Sequence, residues 1–316
     1  MLPTSTLVRR SVLRVPLAEH SAVGDAWRHN ADAIDLILSD DVSEDCQRLP
    51  AAIGAAAKGG AEVFVEIDKR RAYAQLKAAV GPGLTGVVVP GVETARDVDD
   101  VAAILNDREQ EVGLFIGDLE ILPLIGTARG IWNVREVVNA GERVKCAAID
   151  EVRLCQSLGI VASDEFDPLS FSRGRLIVET LAAVKLPLGI GHPLGARPRD
   201  VAEAELSRVA ERARNSGFKG ALCPFPTWVP ACNAAFTPTD EQVEYYRQVR
   251  KAFAEGVVRG TAAVPFPGGR MIDVPVDERA RLVIDWWEQC RRRDAEKASA
   301  MTAVGHLAGA VAHERV

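Results

Sequence analysis

The sequence contains no apolar run close to the roughly 20 residues that a helix needs to cross a bilayer. It also lacks a long basic block. With 38 Lys and Arg against 44 Asp and Glu, the net charge of −6 gives no electrostatic footprint for nucleic acid or an anionic membrane. Its six cysteines never fall in C-x-x-C spacing, which argues against a zinc cluster or a dithiol redox motif. The glycine-rich pieces GAAAKGG and GPGLTG match neither a Walker A loop nor a dinucleotide fingerprint. The start, MLPTSTLVRR, has no apolar stretch of the kind a secretory signal carries, so a cytoplasmic location is expected. These absences point to small molecules or protein subunits as partners.

What is present is 316 residues, 47 % of them hydrophobic, enough for one large core or two modest ones. Short apolar runs recur along the chain: SVLRVP (11–16), AIDLIL (33–38), EVFVEI (62–67), GVVVPGV (86–92), ILPLIG (121–126), RVKCAAI (143–149), LPLGIGH (186–192) and GALCPF (220–225). Helix-like segments lie between several of them, as in 94–107, 170–184 and 200–217. In the last, Val201, Leu206, Val209 and Ala213 keep near-helical spacing and Gly217 offers a stop. Strands alternating with helices imply a parallel sheet, and eight of them imply a closed (β/α)8 TIM barrel.

A barrel of about 250 residues places the first domain at 1–255 and leaves 256–316 as a C-terminal helical extension. Around this boundary, TPTDEQVEYYRQVRKAF carries a capping-box pattern, Thr239 with Gln242, and puts Val243, Tyr246, Val249 and Phe253 on one helical face. The following GGRMIDVPVDERARLVIDWWEQC reads as a turn, a short extended piece and an amphipathic helix, with Trp286 and Trp287 as packing or interface anchors. The Ala-rich end reads either as a docking helix or as a frayed tail.

Functional groups of such barrels gather at the carboxyl ends of the strands. His192 in GIGHPLG ends the seventh run and reads either as a site residue or as a loop cap. Cys223 and Cys232 have no neighbouring motif that would lower a thiol pKa, and CPFPTWVPAC reads as a buried turn.

Taken in order, RSVLRVP, VVVPGVETARDV, PLIGTARG, SRGRLIVETLAA, GFKGALCPFPTWVPACNAAFTPTDEQV and GGRMIDVPV resemble the citrate lyase β-subunit-like proteins of the HpcH/HpaI aldolase superfamily, over residues 10–285. The resemblance implies a (β/α)8 barrel whose C-terminal helices reach a neighbouring subunit. It also implies Mg²⁺-dependent cleavage or formation of C–C bonds in acyl-CoA or oxo-acid substrates.

The likeness breaks where that chemistry belongs. The family phrase corresponding to PLIGTARG has a Mg²⁺-ligating glutamate in place of Gly126. The second ligand is an aspartate in an Ala-Glu-Asp phrase, and counting back from Leu158–Gly159 puts Val152 and Arg153 at its Glu and Asp. Hard cations need oxygen ligands, so no metal or other cofactor is expected, with Asp150 and Glu151 either a shifted ligand set or rim charges. A substrate-binding arginine of the family falls on Glu66, a lysine falls on Gly91, and only Asp40 survives of three strand-2 carboxylates. The family's Arg-Pro after strand 1 is replaced around Glu19 and His20.

Asp273 in GGRMIDVP matches an aspartate that in some relatives enters a neighbour's site as acid or base; otherwise it only pins the turn before Pro275. Glu66, Arg153, Asp40, His192 and Thr127 form the expected substrate-binding set. The exchanged charges at 66 and 153 lead us to expect that these two share a salt bridge or one ligand. The implied function is a divergent C–C lyase or aldolase acting on an acyl-CoA or an oxo or hydroxy acid without the standard Mg²⁺ site, assembled as a trimer or hexamer. The alternative is a catalytically inactive relative that binds a ligand or a partner.

Overall fold

The structure, a computed structural model, describes residues 7–39, 42–160, 167–190, 201–268 and 270–313. Eight strands form one sheet: β1 (Ser11–Pro16), β2 (Ala33–Ile37), β3 (Glu62–Glu66), β4 (Gly86–Pro90), β5 (Glu120–Ile125), β6 (Cys146–Ile149), β7 (Leu186–Leu188) and β8 (Ala221–Cys223). All neighbours are parallel, in the order β7-β6-β5-β4-β3-β2-β1-β8. The two ends of that order meet where Leu188 bridges Gly220 and the Gly189 amide donates to the Gly220 carbonyl at 2.8 Å. The sheet is therefore a barrel, as the recurring apolar runs imply.

Those runs are apolar on both faces because both faces are buried. Leu13, Val15, Ile34, Leu36, Val63 and Val65 pack outward against helix residues such as Leu49, Leu76, Val98 and Leu105. The alternate positions, Val12, Ala33, Phe64, Val88, Leu122 and Ala148, are equally buried and face the lumen. Helices Ala95–Val112, Ser170–Ala182 and Glu203–Ser216 follow their strands. The last stops at Gly217, whose φ of +115° is a conformation that side chains disfavour. CPFPTWVPAC is not a turn throughout: Trp228–Ala235 is helical and buries Cys232.

The amino-terminal end of the barrel is closed by charge. Arg9 is fully buried, and its guanidinium meets the first residues of three strands: Glu62 at 2.6 Å, Glu120 at 2.8 Å and the Cys146 sulfur at 3.3 Å. It also lies 4.7 Å from the centre of the Phe64 ring. Burial pushes the Cys146 thiol up to about 11 even beside Arg9, so it is no thiolate at neutral pH.

A second buried cluster ties down the chain's end. Asp32 accepts from Arg10 Nε at 2.8 Å and from Lys297 Nζ at 2.6 Å, all three being buried. Burial works to raise the Asp32 pKa, but the hydrogen bonds and charges of Arg10 and Lys297 hold it below the usual carboxylate range. The Ala-rich segment is helical as far as His313 and is tied to the barrel at Lys297.

The chain divides into two compact units, and everything above lies in Arg9–Phe236 with Glu296–Val316. The other is Met1–Val8 with Thr237–Ala295. It contains helix Asp240–Val258 with the expected Thr239–Gln242 capping box, and a hairpin of β9 (Val264–Phe266) and β10 (Arg270–Ile272). It also holds the first part of the long helix Val274–His313. Val249, Val264, Ile272 and Ala280 form its core, with Tyr246 and Phe253 packed on them. Trp287 stays within this unit, donating to Asp240 at 3.1 Å.

Candidate functional site

At the carboxyl ends of the strands lies a cavity of about 500 Å³. Its wall includes Ser39 after β2, Glu66 at the end of β3, Lys69 and Arg70 beyond it, Gly91 after β4, and Arg153 after β6. Glu66 and Arg153 therefore face one space, although no ion pair joins them. The expected direct bridge is replaced by another: Arg14 of β1 donates through Nη2 to Glu66 and through Nε to Asp35 of β2 at 3.3 Å. The reason is topological, since β3 is two strands from β1 but three from β6 around the sheet.

Asp35 is the buried member of this cluster, fully enclosed, and its Oδ1 has no hydrogen-bond partner among the described residues. Burial, joined by the negative charge of Glu66, pushes Asp35 up to about 7, with Arg14 opposing. Arg14 itself is raised above its ordinary value: burial would lower it, and the charges of Asp35 and Glu66 more than offset that.

Arg153 opens the helix Glu151–Leu158, where its amide donates to the capping Asp150 carboxylate at 3.0 Å. The side chain then crosses the mouth. A Cβ placed on Gly126 would lie 2.9 Å from Arg153 Cβ and 3.0 Å from its Cδ, and a Cβ on Gly91 would lie 3.1 Å from its Nη1. Gly126 is not in the left-handed region, so its glycine serves close approach rather than backbone freedom. Arg153 Nε is 3.8 Å from Asp150 and its side chain is about half exposed.

The neighbouring acids are already engaged. Glu151 pairs with Arg173 at 2.7 Å. Lys69 Nζ bonds the Gly91 carbonyl at 2.8 Å and Asp97 at 2.7 Å. Among the described residues no group of three His, Cys, Asp or Glu is placed to hold a metal ion.

Thr127 caps the helix Ala128–Trp132, its hydroxyl oxygen accepting from the Gly130 amide at 3.0 Å. Asp273 accepts from the Val276 amide at 3.1 Å at the start of the long helix, in the other unit. Asp40 and His192 lie outside the described residues. Arg14 and Asp35 escaped the reading of the sequence, although a charge inside each of two runs destined for a barrel lumen was the available signal. Cys223 and Cys232 are buried free thiols with sulfurs 3.7 Å apart. Their mutual hydrogen bond and burial raise the Cys223 pKa well above normal.

A closed parallel (β/α)8 barrel with a charged cavity at its carboxyl end is a scaffold for binding small polar molecules. The chain belongs to the HpcH/HpaI aldolase/citrate lyase family, whose sequence profile matches residues 10–186. It is 27 % identical to the citrate lyase subunit beta of Escherichia coli K12 over 88 % of this chain and 93 % of that one. It is 26 % identical to a (3S)-malyl-CoA thioesterase of Cereibacter sphaeroides over 93 % of this chain and 96 % of that one. Among solved structures, protein CitE from Mycobacterium tuberculosis in complex with magnesium, acetoacetate and coenzyme A superposes with a TM-score of 0.64. The match covers 92 % of this chain and all of that one at 22 % identity, a likeness of fold.

Proposed function

We propose that this protein is a carbon–carbon lyase of the aldolase type that acts on a small hydroxy or oxo acid or its CoA thioester, with Arg153 supplying the positive charge that Mg²⁺ supplies in the family. The observation that carries this reading is the course of Arg153 over Gly126 and Gly91 into the cavity that Glu66 also lines. A cation there is placed to hold a substrate carboxylate or a developing enolate oxygen, as preorganised donors do in acyl chemistry. The residues do not suit Mg²⁺: Gly126 offers no side-chain oxygen, and Arg153 repels the ion and crowds the space beside it. Lys69 and Arg70 add positive charge to the wall, which suits an anionic substrate.

We further propose a homo-oligomer, a trimer or a multiple of it, in which Asp273 of one copy reaches the mouth of another. The experiment is turnover of a panel of hydroxyacyl-CoA esters and hydroxy acids with Mg²⁺ or with EDTA. Cleavage that is indifferent to EDTA and lost in Arg153→Ala supports the reading. Cleavage abolished by EDTA overturns the role of Arg153, and no turnover of any compound points to the non-catalytic alternative.

A further inference from the structure

Resting on the lyase reading of this cavity, we propose that the Arg14–Asp35–Glu66 cluster is its acid–base element, with Glu66 exchanging the proton with substrate and Asp35 acting as a buried positioning residue.

Three strands bring the cluster together. Arg14 of β1 faces Asp35 of β2, its register partner, and reaches on to Glu66 at the end of β3. These two flanking strands supply the charged groups that act on Asp35: Arg14 from one side and Glu66 from the other. Only Glu66 lines the cavity, while Asp35 is sealed behind it with one oxygen unpartnered. With both carboxylates ionised the cluster carries one net negative charge beside a single guanidinium. Taking up one proton leaves one carboxylate to balance Arg14 and relieves the buried, half-satisfied Asp35. Burial thus favours the proton on Asp35, pushed up to about 7, directly behind the carboxylate that faces the cavity.

The step balances without a co-reactant. Glu66 takes the proton of the substrate's β-hydroxyl, the C–O bond becomes a carbonyl, and the Cα–Cβ bond breaks. The electron pair of that bond enters an enolate whose oxygen faces Arg153. The same proton then passes from Glu66 to the enolate carbon, giving an aldehyde or ketone and a shortened acid or thioester.

Two measurements test this on the full-length protein. In protein labelled with [¹³C]aspartate, the Asp35 carboxyl resonance, identified by its loss in Asp35→Asn, is expected to titrate near neutrality and to titrate at lower pH in Glu66→Gln. A resonance already ionised at pH 5 overturns the shared proton and with it the proposal. In the cleavage assay, Glu66→Gln is expected to lower kcat about 100-fold or more with KM nearly unchanged. Asp35→Asn is expected to erase the inflection near neutral pH, and Glu66→Asp to restore part of the rate. Wild-type turnover that survives Glu66→Gln with the same pH profile overturns the acid–base role while leaving the lyase reading intact. A neutral titration of Asp35 in a protein that cleaves nothing overturns the catalytic role together with the lyase reading.

Discussion

The Arg153 side chain lies so close to Gly126 that three of its carbons would stand within 3.1 Å of any Cβ added there. Gly126→Ala is therefore expected to destabilise the protein by about 1–3 kcal/mol, as overpacking does. In an Arg153→Ala background the cost should shrink, because two of the three crowding atoms are gone. A double-mutant cycle in urea checks this. Equal costs in both backgrounds would separate the two residues.

The same contact predicts metal behaviour. Calorimetry with millimolar Mg²⁺ should give no specific heat for the wild-type chain, whereas Gly126→Glu combined with Arg153→Asp should create a binding isotherm. Binding by the wild type that disappears on Asp150→Asn or Glu151→Gln would mean that those two acids had rebuilt a site in a shifted register.

The titration of Asp35 has a definite sign. Its folded pKa of about 7 lies above the ordinary value of 3.8, so between these pH values the folded protein holds a proton that the unfolded chain has released. Its contribution to stability therefore falls as pH rises from about 4 to about 7 and stays at its lower level above that. Asp35→Asn should flatten this part of the stability curve, so the variant gains on the wild type with rising pH. Urea melts across the window read the difference directly.

Asp32 anchors Arg10 and Lys297 at once, and Asp32→Asn is expected to cost about 3–5 kcal/mol, the scale of breaking a buried ion pair by removing one partner. Lys297→Met should cost less, since Arg10 keeps its carboxylate. Denaturant midpoints that rank the two variants in the opposite order would refute this reading of the tether.

Asp273 caps a helix whatever else it does, so Asp273→Ala should cost about 1 kcal/mol. The proposed trans role predicts more. Inactive Asp273→Ala and inactive Arg153→Ala chains, unfolded and reassembled together, should regain part of the activity, while light scattering shows a trimer or its multiple. A monomer without complementation would confine Asp273 to the cap.

The barrel was legible because its strands are buried on both faces and so stand out as apolar runs. Each of the eight runs contains or overlaps a strand, and Gly217 and the Thr239–Gln242 pair mark helix ends where expected. The site was legible only as a set of positions. The reading could place Glu66 and Arg153 at one mouth, but it could not see that Arg14, 52 residues from Glu66, would reach that carboxylate first. Asp35 was visible as a charge inside AIDLIL, yet its meaning depends on lumen geometry, which periodicity alone does not supply. Likewise the glycines at 91 and 126 read as missing side chains, whereas the fold shows one arginine occupying the room at both.

Arg9 gives the barrel a floor. With its guanidinium bound to the beginnings of β3, β5 and β6, that end is blocked by a charge network that is costly to part, and the cavity opens at the other. Exchange between that cavity and solvent is therefore expected on the side where Glu66 and Arg153 stand, with the Arg9 network sealing the opposite end.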